Sequence, residues 1–343
     1  MKVLIVGADH ELALERYFTD HFQYLGVQTH LINVREQLLK IIETSRIYRL
    51  IFFLIPGIFS KKISNELLKH ISKESYTHVW IFKGIEILPK TIKKIKKNGQ
   101  VVINYNPDHP FIRSSYFSQN SNVRKAVRHY DLYFSYSLDL CQKIKFEYDI
   151  DAVWLPFAVQ DVYHSTVMKS KLSYECSKIC FIGNPDKNRA FIINYLIQNN
   201  ILIIVFGSNW SHFLSPHKNL EIKETVSGIK YWETLRKYPL QLNIFRKHNV
   251  NSHNMRSFEI PSVGSIQIAP SSAENYKLFT KNKSIFFYDS NAELLQVCRD
   301  LLLLETETLE KLKTYTFKEF NSLDIGTTYL DRAKLALRHL SET

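Results

Sequence analysis

The feature that most constrains this chain is an alternation of short apolar runs with helix-like stretches. "KVLIVGA" (Lys2–Ala8) opens the series and ends at a glycine and an alanine. "VQTHLINV" ends at Val34, "THVWIFKG" at Gly84, "QVVINYNP" at Pro107, "YDLYFSYS" at Ser137 and "AVWLPFAV" at Val159. Helical stretches lie between them, from His10 to about Tyr24 and in a lysine-rich segment through Lys97. Short runs without an exposed polar face predict parallel strands covered on both sides. Their alternation with helices predicts an α/β doubly wound sheet. The pattern stops at about Gln160–Ser177, which reads as a polar linker, and then restarts. "KICFIGN" ends at Asn184, with a helix to about Gln198, and "ILIIVFGS" ends at Ser208. A helix around Tyr231–Lys237 leads to "LQLNIF", "SIQIAP" and "SIFFYD". Helices at about Asn291–Leu304, Thr308–Ser322 and Thr328–Leu340 complete the chain. A length of 343 residues favours two domains over one. The expectation is two Rossmann-like halves around a cleft, with ligands beyond the carboxyl ends of the strands.

Several classes are excluded by what the glycines and cysteines do not do. Only Gly7 follows the first strand, so the three-glycine dinucleotide fingerprint fails there, and "IGNPDKNRA" fails it too. No Gly-Lys-Ser/Thr sequence is present, which excludes a P-loop. Cys141, Cys176, Cys180 and Cys298 give one close pair and no second pair at zinc spacing. With Met1-Lys2 leading straight into a strand, a reducing, cytoplasmic setting and free thiols are expected. His109, His248 and His253 have no i, i+4 partner, so zinc is not expected. Asp149 and Asp151 form an Asp-x-Asp pair, but it precedes a strand rather than ending one, and no metal is expected there. A net charge of +12 suggests an anionic partner, although lysines scattered over helix faces also serve solubility. Basic residues do not cluster with aromatics in one element, so nucleic acid is not the expected partner. "RLIFFLIPGIFSKK" (Arg49–Lys62) is too short to span a bilayer, which takes about 20 residues. Flanked by Arg46, Arg49, Lys61 and Lys62, it reads as a buried element or as an interfacial patch on an anionic membrane.

The segment "SHNMRSFEIPSVGSIQIAP" (Ser252–Pro270) carries charge on a helix that looks buried. Asn254 suits an N-cap for a helix beginning at Met255, and the N–H groups of such a first turn attract phosphate. Arg256 offers a guanidinium fork for a diphosphate. Glu259, three residues on and on the same face, offers an acceptor pair for vicinal hydroxyls such as those of a ribose. Gly264 ends the helix. An Arg256–Glu259 salt bridge within a core helix explains the same spacing, and spacing alone leaves the two open.

"NMRSFEIPSVGSIQIAP" resembles the Asn-x-Arg-x-Phe-Glu-(small)-x-x-x-Gly segment of CgeB-like glycosyltransferases, a branch of the group-1 GT-B enzymes. "NYNPDHPF" (Asn104–Phe111), "WLPFAVQDVYH" (Trp154–His164), and "ICFIGNPDKNRAFIINYL" followed by "ILIIVFGSNW" resemble three further family segments in the same order. The resemblance implies a GT-B fold and transfer of a sugar from a nucleotide-diphosphate sugar, with no cofactor or metal. It implies an acceptor domain over residues 1–160, a donor domain over 161–326, and a C-terminal helix, 327–343, returning to the first. It places Glu259 at the donor ribose and Arg256, Lys187 and Arg189 at the diphosphate, with Asn254 at the helix start. Gly183 and Asn184 precede this cluster, and the Gly207–Trp210 loop falls near the base. Asn251 stands where many group-1 enzymes have a second glutamate, and His109 replaces an aspartate. Asp108 and His109, after a strand end on the acceptor side, are candidates for a general base, or else a rigid turn. The expected acceptor is a glycan, a lipid-linked sugar or another surface polysaccharide. A non-catalytic nucleotide- or sugar-binding protein on the same fold is the alternative.

Overall fold

The computed structural model describes residues 1–54, 56–112, 121–169, 173–246, 249 and 251–343, with the backbone alone at 37, 41–43, 52–54, 56–57 and 161–163. The chain divides into two compact units, Met1–Pro156 with Tyr329–Thr343, and Phe157–Thr328. The first contains β1 (Lys2–Gly7), β2 (Gln28–Asn33), β3 (His78–Phe82), β4 (Val101–Asn106), β5 (Leu132–Ser135) and β6 (Asp151–Trp154), in sheet order β2-β1-β3-β4-β5-β6. The second contains β7 (Ile179–Ile182), β8 (Ile203–Phe206), β9 (Leu220–Lys223), β10 (Leu240–Leu242), β11 (Ile266–Pro270) and β12 (Ile285–Tyr288), in order β12-β11-β10-β7-β8-β9. Every pairing in both sheets is parallel. Val3, Leu4, Ile5 and Val6 are fully buried, so β1 has helices over both faces, as its unbroken apolar run requires.

The strand order locates each unit's ligand-binding edge. The direction of winding reverses between β1 and β3 in the first unit and between β7 and β10 in the second. At such a switch point the loops diverge above and below the sheet and leave a crevice at the carboxyl ends. The crevice in the first unit is flanked by the residues after Gly7 and after Phe82. In the second it is flanked by those after Ile182 and after Leu242.

The helix Tyr329–Leu340 packs within the first unit, with Tyr329 against Tyr17 at 5.2 Å between ring centroids. Its Arg332 is fully buried and donates from Nε to the Pro156 carbonyl at 2.9 Å. Burial depresses this guanidinium's pKa to about 10, with Tyr329, Asp331 and Tyr105 opposing the shift. Within the second unit, the entering and leaving segments are joined. The Val159 N–H donates to the Thr327 carbonyl at 2.9 Å, and Val159 forms a parallel bridge with Thr328.

Three features differ from the sequence expectation. β9 was not expected, because "LEIK" is a four-residue edge strand with a charge at every second position and no apolar run. The polar stretch expected as a linker contains a helix, Asp161–Lys169. "RLIFFLIPGIFSKK" forms the end of one helix, Arg46–Leu54, and the start of another, Pro56–Ile71, with the proline where no helical N–H is lost. The four thiols are free, and Cys141, Cys180 and Cys298 are buried.

Candidate functional site

The second unit's switch point gathers most of the residues expected to hold a donor. Arg189 sits in the helix Lys187–Gln198, whose N-cap Asp186 accepts from the Arg189 N–H at 2.9 Å. Its guanidinium spans the crevice. Nη1 donates to the Asn184 carbonyl after β7 at 2.9 Å, and Nη2 to the Ile244 carbonyl after β10 at 3.1 Å. Arg246 lies two residues beyond Ile244, exposed, with no ion pair among the described residues. Burial, reinforced by the charges of Arg246 and Arg256, lowers the pKa of Arg189 to about 10, with Asp186 opposing. Three guanidiniums within electrostatic reach of one another are mutually unfavourable. An anion brought among them relieves the repulsion. Lys187 lies exposed at the start of the same helix.

Gly183 and Gly207 end β7 and β8 and permit close approach of the two loops. A Cβ on Gly207 would stand 2.3 Å from the Gly183 carbonyl oxygen. Trp210 is only 1% exposed, packs edge-on against Phe181 and donates from Nε1 to that same carbonyl at 2.9 Å. The Trp210 ring therefore fixes the loop from beneath and presents no free face to a base. Asn184 is exposed and accepts from Ser208 Oγ at 3.3 Å.

The segment after β10 supplies the other half. Helix Arg256–Ser262 is short, and its first turn is closed by the protein itself, with Asn254 Oδ1 accepting from the Ser257 N–H at 3.2 Å. The helix starts one residue later than expected, and this N–H is not open to a phosphate. Asn254 also exchanges amide hydrogen bonds with Asn243, at 2.8 and 3.1 Å. Gly264, in the left-handed region at φ 72°, closes the helix: its N–H bonds Pro261 and the Ser265 N–H bonds Ile260. Asn251 accepts from the Ala273 N–H at 3.0 Å, so the residue standing where a second glutamate is common ties the loop to the next helix.

Arg256 and Glu259 do pair, at 2.5 Å, but the pair is not closed on itself. Glu259 Oε2 accepts from both Arg256 Nη1 and the Tyr231 hydroxyl, the latter at 2.7 Å, while Oε1 has no partner among the described residues. The Arg256 guanidinium lies over the Tyr231 ring at 4.6 Å, with Nε buried and without a hydrogen-bond partner among the described residues. Burial works against its charge, but Tyr231 and Glu259 outweigh it and raise its pKa above the ordinary value. Burial, chiefly, pushes the Tyr231 hydroxyl well up, so it stays a donor at neutral pH. One carboxylate oxygen is thus anchored and the other is presented, which suits a carboxylate that must hold a diol in fixed orientation. Just upstream, buried His253 and Glu274 approach to 2.5 Å, and His253 Nε2 accepts from the Phe157 N–H.

Asp108 and His109 belong to the first unit, after β4. Asp108 pairs with Lys83 at 2.8 Å. His109 Nδ1 accepts from the N–H groups of Phe111 and Ile112, both at 3.1 Å, so this ring nitrogen is consumed by the turn. His248 lies outside the described residues, as do side chains 52–57 of the apolar patch. Asp149 caps a helix in the left-handed region and Asp151 opens β6, 75% exposed. Sequence reasoning missed Arg246, Tyr231 and Asn243. Tyr231 lies on the helix Gly228–Lys237 and meets Glu259 only through the fold, whereas the placement of Asn243 and Arg246 just after β10 gives a signal.

Residues 189–315 match a protein-family model described as glycosyl transferase-like. No curated protein sequence matches the chain significantly. Among solved structures, the chain is similar to sucrose-phosphate synthase from Thermosynechococcus elongatus, with 9% identity, 100% of both chains covered and a TM-score of 0.69. It is similar to Anabaena HepE in complex with UDP, with 11% identity, 100% of both chains and a TM-score of 0.63. It is also similar to UDP-GlcNAc 2-epimerase from Methanocaldococcus jannaschii, with 10% identity, 100% of both chains and a TM-score of 0.61. The fold is that of the GT-B proteins, two parallel α/β units.

Proposed function

We propose that this protein is a glycosyltransferase that takes a sugar from a nucleoside-diphosphate sugar, held by the second unit. The observation that carries this is the convergence of Arg189, Arg246 and Arg256 at one switch point, beside a carboxylate with one free oxygen. Arg189 and Arg256, with Arg246 and Lys187, stabilise the negative charge that grows on the departing diphosphate. Fixed cations do this without a metal. Glu259 Oε1 receives the ribose hydroxyls. Gly183, Asn184 and the Gly207–Trp210 loop form the floor beside the diphosphate. The HepE complex with UDP makes UDP the first nucleotide to try. The narrower placement in the CgeB-like branch rests on the four motifs, and the acceptor class, a glycan or lipid-linked sugar, on that branch.

Thermal shifts with UDP, GDP, dTDP, CMP and ADP, each with and without EDTA, test the donor site. One nucleoside diphosphate should raise the melting midpoint, because it binds the folded state alone. EDTA should leave the shift unchanged, and Glu259→Ala should abolish it. No shift with any nucleotide would overturn the reading.

The same proposal places the enzyme in the cytoplasm, against an anionic membrane face. No helix among the described residues is long and apolar enough to cross a bilayer. Ile47, Leu50 and Ile58 are more than half exposed, next to exposed Arg46, Arg49, Lys61 and Lys62. Flotation with vesicles containing anionic lipid should carry the protein upward, and vesicles without it should not.

A further inference from the structure

The second unit also holds a row of side-chain amides, Asn254, Asn243 and Gln267, of which the last two are buried. Asn243 directly follows β10 and donates its backbone N–H to the Ile268 carbonyl of β11 at 2.8 Å. Both hydrogens and the oxygen of its side chain are committed. Nδ2 donates to Asn254 Oδ1 at 3.1 Å and to Gln267 Oε1 at 3.2 Å, and Oδ1 accepts from Asn254 Nδ2 at 2.8 Å. One backbone group sets the direction of the whole row. The Ser257 N–H can only donate, so Asn254 turns its oxygen to it, at 3.2 Å. The Asn254 NH2 then meets the Asn243 oxygen, and the Asn243 NH2 meets the Gln267 oxygen.

Gln267 Nε2 is left at the end of the row, buried and without a hydrogen-bond partner among the described residues. An unpaired buried donor is unfavourable, and an apolar side chain on β11 would avoid it. Reversing the row would pair this donor, but would set the Asn254 NH2 against the Ser257 N–H. The row therefore keeps the unpaired donor and holds Asn243 in a single orientation. What Asn243 joins is the two halves of the cation cluster. One residue on, the Ile244 carbonyl accepts from Arg189 Nη2 at 3.1 Å, and Arg246 follows two residues later. Across the amide pair, Asn254 leads into the helix Arg256–Ser262, which carries Arg256 and Glu259.

We propose that Asn243 is a positioning residue of the donor site. It sets the Arg189 and Arg246 side against Arg256 and Glu259, and at 2% exposed it does not touch the ligand itself. This rests on the reading of the second unit as the holder of a nucleoside diphosphate. Guanidinium forks grip a diphosphate together only when they are fixed relative to one another. A looseness of about 1 Å between the two segments is enough to lose that fit.

The test is the affinity of the full chain for UDP, by titration calorimetry, read beside its melting midpoint. Asn254→Ser keeps an oxygen for the Ser257 N–H but removes the NH2 that bonds Asn243. It should melt within about 4 °C of wild type and bind UDP about tenfold more weakly. Gln267→Met removes the unpaired donor with little change of shape and releases one Asn243 hydrogen. Its melting midpoint should be unchanged or higher, while UDP binding weakens by about threefold, a divergence that a purely structural role does not give. In the Arg246→Ala background, Asn243→Ala should cost less affinity than it does alone, because one of the cations it places is gone. UDP affinity of Asn254→Ser and Asn243→Ala within about twofold of wild type would overturn the proposal. So would losses that simply multiply in the double variant, or affinity that falls only in step with melting. Absence of UDP binding by the wild type would instead be the failure of the donor-site reading.

Discussion

At the scale of single residues, the proposed donor site is a balance of charges that a few substitutions can unset. Arg246→Ala removes the exposed cation that faces Arg189, and should weaken nucleoside diphosphate binding by about tenfold, roughly 1.4 kcal/mol, measured by titration calorimetry. Tyr231→Phe keeps the ring under Arg256 but removes the hydroxyl that anchors Glu259 Oε2. It should cost about 1 kcal/mol of binding, and much less than Glu259→Ala. Glu15 gives a stability prediction with a definite sign. It is buried beside the end of β1, where its carboxylate accepts from the Ala8 N–H and from its own. Burial outweighs these bonds and raises its folded pKa, so its favourable contribution is complete below the ordinary carboxylate pKa and is lost as pH rises through the raised value. Glu15→Gln lacks that loss. Its melting midpoint should match wild type near about pH 4 and exceed it near about pH 8. Of these groups only the Arg256–Glu259 pair was legible in the sequence, through its spacing of three. Tyr231 is 28 positions from Glu259 and Arg246 is 57 from Arg189, so no local pattern could connect them. Glu15 is seven residues from Ala8, but only the bend after Gly7 turns that separation into a contact.

At the scale of elements, glycines decide how close two loops or helices can come. Gly207→Ala sets a methyl against the Gly183 carbonyl and the Trp210 indole. It should destabilise the second unit by about 1–3 kcal/mol, seen in denaturant unfolding, and loosen the loop proposed to floor the diphosphate site. Gly264→Ala combines a left-handed backbone at φ 72° with a Lys313 carbonyl 3.3 Å from the new methyl, and should cost about 1–2 kcal/mol. Element types were largely legible, because strands buried on both faces must be apolar throughout. The six strands of the first sheet and five of the second were legible, although the edge strands β2 and β6 are only partly buried. β9 escaped for a physical reason: an edge strand is half solvated, and its Glu221 and Lys223 sit where a core strand would carry valine or isoleucine.

At the scale of the whole molecule, the chain leaves its first unit at Pro156 and rejoins it at Tyr329. The second unit's two ends, near Val159 and Thr327, are hydrogen-bonded to each other. Topologically it is an insertion whose termini already meet, and such segments tolerate excision and re-joining best. Residues 157–328 should therefore fold when expressed alone, checked by a cooperative melt, and should retain the nucleotide response of the full chain. New ends could be opened elsewhere on that unit, with Phe157 and Thr328 joined by a short linker. A circular permutant of this kind would carry the second unit as a portable cassette, free of the first.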